Sequence, residues 1–108
     1  MPIYNKLVRD KIPEVIVKNG KISITRILTE DEYKAELQKK LGEELKEYVK
    51  AETDKDAVEE LADLMELIYS AAAVHGSTMK ELDQIRRKKA AERGGFKKKI
   101  FLIEVQDA

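Results

Sequence analysis

Three stretches of the chain repeat apolar side chains at helical spacing, each opened by a capping signal and closed by a break. Thr29 and Glu32, three positions apart, have the spacing of a capping box, and the pattern behind them runs helically to about Ala51. Thr53 or Asp54 can cap a second stretch, carried by Ala, Leu and Met to His75, where Gly76 offers a left-handed stop. Thr78 and Glu81 repeat the box and open a third helix that should end at Gly94 and Gly95. Short connections make the three helices antiparallel neighbours. Outside them, "KISITRIL" alternates and "KKKIFLIEV" is a compact apolar run, so residues of about 22–28 and 98–105 are predicted to pair as a small two-stranded sheet. Pro13 restricts any helix within "NKLVRDKI" to a turn or two ahead of it. The predicted fold is mainly α, an antiparallel helical bundle in a single domain over 1–108.

Two interruptions of this pattern carry chemistry. At about 100° per residue, Tyr33, Leu37, Leu41, Leu45 and Tyr48 form one stripe of the first long helix, yet Glu44 lies within it and Glu47 at its edge. The second long helix is apolar on nearly every side: Val58, Leu61, Met65 and Ile68 on one face, Leu64, Leu67, Ala71 and Val74 on another. Glu60 interrupts that second face and Asp63 borders it. A carboxylate costs several kcal/mol to desolvate unless it is paired or bound to a metal. If the helices are neighbours, "E44-L-K-E47" and "E60-L-A-D63" converge four carboxylates, and their repulsion requires a cation. Oxygen-only ligation selects Mg²⁺, with Mn²⁺ as a substitute, over zinc or copper. Acidic pairs at this spacing are also common on solvated helices; the displacement of both pairs into apolar faces argues for the site.

Composition narrows the classes further. Lys plus Arg number 21 and Asp plus Glu 21, so a zero net charge argues against bulk binding to a nucleic-acid polymer. The absence of cysteine removes thiolate catalysis, disulfides and cysteine-based zinc sites. The opening residues lack the apolar core of a signal peptide, and no run approaches the roughly 20 apolar residues of a membrane span. The expectation is a soluble cytoplasmic protein with no membrane partner. Lys6, Arg9 and Lys11 cluster near the start, and Lys89 and Arg93 lie four apart on one helical face. Magnesium sites combine a few carboxylates with substrate phosphates, and Arg and Lys hold the remaining oxygens, which suggests a polyphosphate substrate. His75 is explained by the helix dipole, and Lys97, Lys98 and Lys99 by protection of an apolar strand edge.

The residues also carry a likeness. "KKLGEELKEYVKA" and "EELADLMELI" resemble the MazG-like all-α nucleotide pyrophosphohydrolases, whose signature is an E-x-x-E and an E-x-x-D pair on successive helices. "YNKLVRDKIPE" and "KAAERGGFKKKIFL" are similar to the small phosphoribosyl-ATP pyrophosphohydrolase-like branch, so the resemblance covers nearly the whole chain. It implies that Glu44, Glu47, Glu60 and Asp63 bind Mg²⁺. It further implies hydrolysis of a (deoxy)nucleoside triphosphate between the α and β phosphorus atoms, giving the monophosphate and pyrophosphate, as nucleotide-pool house-cleaning. Glu44 is the first choice as general base and Glu47 the second. Lys89 and Arg93 match the family's K-x-x-x-R element and would grip the phosphates, joined by Lys6 and Arg9. Glu43 would support the cage from outside, and the family's habit implies a homodimer or homotetramer. Independently, a helix apolar almost all round is more than three helices of one small chain can cover. Two alternatives stand beside this reading: phosphoribosyl-ATP hydrolysis in histidine biosynthesis, whose enzymes lack a start like "YNKLVRDKIPE", and a non-catalytic helical interaction module.

Overall fold

The computed structural model describes residues 2–108. Four helices follow one another: α1 (Ile12–Lys18), α2 (Glu30–Lys50), α3 (Asp54–Val74) and α4 (Met79–Arg93). The three long helices open at the threonines the sequence marks, but the box expected at Thr78 and Glu81 is half made, because the Glu81 carboxylate accepts from the Ser77 hydroxyl at 3.0 Å. At α2 the Thr29 hydroxyl accepts from the Glu32 amide at 3.3 Å, and the Glu32 carboxylate accepts from the Thr29 amide at 3.0 Å. Arg26 clamps that same carboxylate with two N–H donors at 3.2 and 2.7 Å. Thr53 and Thr78 accept from the amides of Asp56 and Glu81, each at 3.1 Å. At the far end of α3, Gly76 takes φ +75°, Ser77 donates to the Ala72 carbonyl at 2.9 Å, and Gly76 donates to Ala73 at 3.0 Å. That is a Schellman termination, and it turns the chain directly into α4.

α2 and α3 form an antiparallel pair joined by residues 51–53. Leu37 of α2 lies beside Ala71 and Val74 of α3, while Glu44 faces Glu60 and Asp63. α4 packs on α3 and buries none of its residues. The core is correspondingly thin, with Leu37 and Ala72 as its buried apolar residues. One apolar face of α3 is uncovered: Val58, Leu61, Met65 and Ile68 are 63%, 42%, 52% and 41% exposed, and Leu45 and Val49 of α2 are exposed as well. The radius of gyration is 18.6 Å, against about 13 Å for a self-contained domain of this length. The chain exposes 10355 Å², where a folded monomer of its mass exposes roughly 6,100 Å².

One expectation needs correction, and one helix lies outside those predicted. No strand forms among the described residues, so the sheet expected over 22–28 and 98–105 is absent. Ile22, Ile24, Ile27, Phe101 and Ile103 are all more than four-fifths exposed. An alternating, β-branched composition makes a strand only where a second strand or a packed face receives it, and a lone two-stranded ribbon is marginal in water. α1, which begins at Ile12 and runs beyond Pro13, is not among the three helices that the sequence predicts. Pro13 sits in the first turn, where its missing amide would have had no helical partner, and Asn19 and Gly20 (φ +77°) close the segment.

Candidate metal centre

The antiparallel pairing of α2 and α3 decides the geometry. Glu44 enters from α2, and Glu60 and Asp63, one turn apart, enter from α3. One carboxylate oxygen from each of the three lies within 4.8 Å of the others, and all three residues are half-buried. Oε2 of Glu44 is buried and, with Glu60 ionised, has no hydrogen-bond partner. An unsatisfied acceptor of this kind is uncommon in a folded chain and asks for a reason. The carboxyl of Glu60 is pushed up to about 7, first by a hydrogen bond with Glu44, then by desolvation, then by the charges of Glu44, Asp63 and Glu47. In the absence of a cation, a proton is thus retained at the cluster to near neutral pH.

The other residues singled out from the sequence fall in distinct places. Glu47 is exposed on the flank of α2, outside the close set, though near enough for its charge to act on Glu60. Glu43 points away from the cluster into a shallow cleft of about 10 Å³, shared with Lys6, Leu7, Glu36, Lys39 and Lys40. Arg9 reaches across to Asp63, with Nη2 donating to Oδ1 at 2.6 Å. Lys89 and Arg93 are exposed on α4, and neither forms an ion pair among the described residues; the ion pairs of that helix join Asp83 to Arg86 and Arg87. The Arg9–Asp63 contact is one that sequence reasoning missed. Its partners are 54 residues apart, and no spacing rule connects a loop arginine to a particular carboxylate.

The donor set is all oxygen and strongly anionic, which suits a hard divalent cation such as Mg²⁺. The model of the phosphoribosyl-ATP pyrophosphohydrolase family matches residues 6–90, a span that takes in α1, α2, α3, the acidic cluster and most of α4. The chain belongs to the phosphoribosyl-ATP pyrophosphohydrolase family. It is thereby a member of the MazG-like all-α pyrophosphohydrolase superfamily, and the family points to a hydrolase acting on acid anhydrides. A protein of Mycolicibacterium smegmatis, described as uncharacterized, is 46% identical over 54 residues, which cover 50% of this chain and 55% of that protein. The match therefore spans about half the length of that relative. No solved structure gives a significant match to this family member. None of its helices is long and apolar enough to cross a membrane.

Proposed function

We propose that the protein is a Mg²⁺-dependent nucleotide pyrophosphohydrolase that cleaves nucleoside triphosphates between the α and β phosphorus atoms, releasing the monophosphate and pyrophosphate. The observation that carries this reading is the buried, partnerless oxygen of Glu44 facing two further carboxylates within 4.8 Å. An arrangement so unfavourable when empty is explained by a cation that belongs there. Glu44, Glu60 and Asp63 would hold it, with Glu47 completing the set from the exposed flank. When bound, Mg²⁺ supplies positive charge to the polyphosphate and acidifies a water ligand.

The chain's own residues supply the remainder. Glu44, whose free oxygen is buried, takes the proton from the attacking water, and Glu47 is the second choice for that role. Lys6 and Arg9 from the N-terminal segment and Lys89 and Arg93 from α4 hold phosphate oxygens, neutralising the charge that builds up during displacement. Glu43, which lines a cleft with Lys6, would support the cluster from outside. The family match favours a second reading, hydrolysis of phosphoribosyl-ATP, which breaks the same kind of anhydride bond. Incubation with Mg²⁺ and mixed triphosphates, followed by separate assays for pyrophosphate and orthophosphate, tests the first reading. Orthophosphate as the product overturns α,β cleavage, and turnover of phosphoribosyl-ATP alone selects the second. Loss of all turnover would leave a helical interaction module, against which the retention of Glu44 and Glu60 argues.

A homodimer or homotetramer is part of the proposal. The surface in excess of a folded monomer is roughly 4,200 Å², well above the roughly 800 Å² that each partner gives to a standard interface. The uncovered face of Val58, Leu61, Met65 and Ile68, continued by Leu45 and Val49, is the surface a second copy would cover.

A further inference from the structure

Residues 2–9 have no regular secondary structure, and Ile3 and Tyr4 are largely exposed. Apolar packing therefore does little to hold this segment. It meets α2 along the stretch that leads to Glu44, and α3 at the acidic cluster itself. Lys6 and Leu7 lie in the cleft with Glu36, Lys39, Lys40 and Glu43 of α2. Arg9 holds Asp63 of α3 at 2.6 Å, a short contact for a charge-assisted pair. Asp63 is also one of the three carboxylates that converge with Glu44. The same side chain thus has two claimants, a guanidinium that reaches it from a loosely held segment and the cation for which the cluster is suited. The Arg9 side chain is 58% exposed, so nothing buries the pair against exchange.

We propose that Arg9 is a placeholder cation: it occupies Asp63 while the cluster is empty, is displaced when a divalent cation binds, and then turns its freed guanidinium to the substrate's phosphate oxygens. This inference rests on the reading of Glu44, Glu60 and Asp63 as the metal site. Arg9 competes with the metal when no nucleotide is present and cooperates with it when a polyphosphate is bound. That change of sign separates a placeholder from a residue that merely braces the fold. It also sets an order, since the segment becomes available to the polyphosphate only after the metal has taken Asp63. Arginine suits both tasks, because its planar fork matches a carboxylate and a phosphate alike and its charge is permanent.

The test uses the full chain and Mn²⁺, whose binding is read by electron paramagnetic resonance. Wild type, Arg9→Ala and Lys11→Ala are titrated with Mn²⁺ alone, then dialysed to equilibrium against Mn²⁺–tripolyphosphate, a probe that carries no base. A half-exposed ion pair changes an equilibrium constant by about two- to fivefold. Arg9→Ala is therefore expected to bind Mn²⁺ alone about two- to fivefold more tightly than wild type, and Mn²⁺–tripolyphosphate more weakly. Lys11→Ala, which removes an equal charge nearby without touching Asp63, leaves affinity for Mn²⁺ alone unchanged. Equal Mn²⁺ affinity in wild type and Arg9→Ala overturns the placeholder and leaves the metal site standing. Equal tightening in Lys11→Ala reduces the effect to bulk charge and overturns it too. Absence of Mn²⁺ binding in all three proteins overturns the metal site and the placeholder with it. Limited trypsinolysis of wild type gives a readout free of any variant: cleavage after Lys6, Arg9 or Lys11 speeds up when Mn²⁺ is added, and an unchanged rate overturns the displacement.

Discussion

Replacing Glu44 by methionine should make the metal-free protein more stable and the metal-bound state unattainable. Methionine keeps an unbranched side chain with good helix propensity, and its thioether adapts to the space of the lost carboxylate. The carboxylate it removes has a buried oxygen without a partner, and a buried acceptor left unpaired costs about 1–3 kcal/mol. Relief of the crowding with Glu60 and Asp63, whose oxygens lie within 4.8 Å, acts in the same direction. In EDTA the variant should therefore gain about 1–3 kcal/mol, which raises the thermal midpoint of a domain of this size by about 4–12 °C. The assay is thermal unfolding followed by circular dichroism at pH 7.5, in EDTA and again in excess MgCl₂. Wild type should be stabilised by Mg²⁺, by about 2.7 kcal/mol at a hundred times the dissociation constant, and the variant should show no such shift. A variant less stable than wild type in EDTA would show that the carboxylate has a structural partner. Persistence of the magnesium shift would show that Glu44 is not a ligand.

Four further outcomes follow from the structure. Because the folded-state pKa of Glu60 is raised from 4.5 to about 7, its contribution to stability is fully present below about pH 4.5 and is lost as pH rises through 7. Metal-free wild type should accordingly lose stability between pH 5 and 8 relative to Glu60→Gln, and parallel melting profiles for the two would contradict this. Glu32 behaves oppositely: Arg26 first, and then the hydrogen bonds with Thr29, hold its carboxyl at about 2, so its contribution is present above about pH 4.5 and disappears as pH falls through 2. Arg26→Ala should flatten that acid limb in urea titrations between pH 5 and 2, and Thr29→Ala should cost about 1 kcal/mol at neutral pH. Met65→Glu places a charge in the uncovered face of α3, and light scattering should then give a smaller native mass than for wild type; an unchanged mass would move the interface elsewhere.

The long helices were legible because their signals are local. Thr29, Thr53 and Thr78 each meet the amide three residues on, and Gly76 adopts the left-handed conformation its position requires. The convergence of Glu44 with Glu60 and Asp63 was legible at one remove, since short connections force α2 and α3 side by side and helical periodicity does the rest. The segments 22–28 and 98–105 were misread because strand formation is decided by a partner, which composition cannot specify. α1 is not legible because its seven residues give too short a pattern, and Pro13, which limits a helix before it, equally suits the first turn of one that follows. The contact of Arg9 with Asp63 was invisible because an irregular segment carries no periodicity from which its landing point can be computed.

Along the α2–α3 seam, packing and charge are segregated. Leu37 and Ala72, the buried apolar residues, lie toward the His75 end, while the carboxylates lie about 10 Å away, seven residues on from Leu37. Among the described residues no fully buried apolar side chain lies at the acidic end, where Leu41 and Leu64 are half-buried, and like charges there push the helices apart. The three-residue connection at 51–53, the cap at Thr53 and the tie from Arg9 to Asp63 oppose that repulsion, and the last of these is a single half-exposed pair of small value. Leucine or methionine at positions 44 and 60 would close the seam with less cost and extend the core that this short chain lacks. The acidic end therefore makes physical sense as one part of a site whose other parts are a divalent cation and an anionic substrate, with stability given up at the place where binding energy is to be recovered.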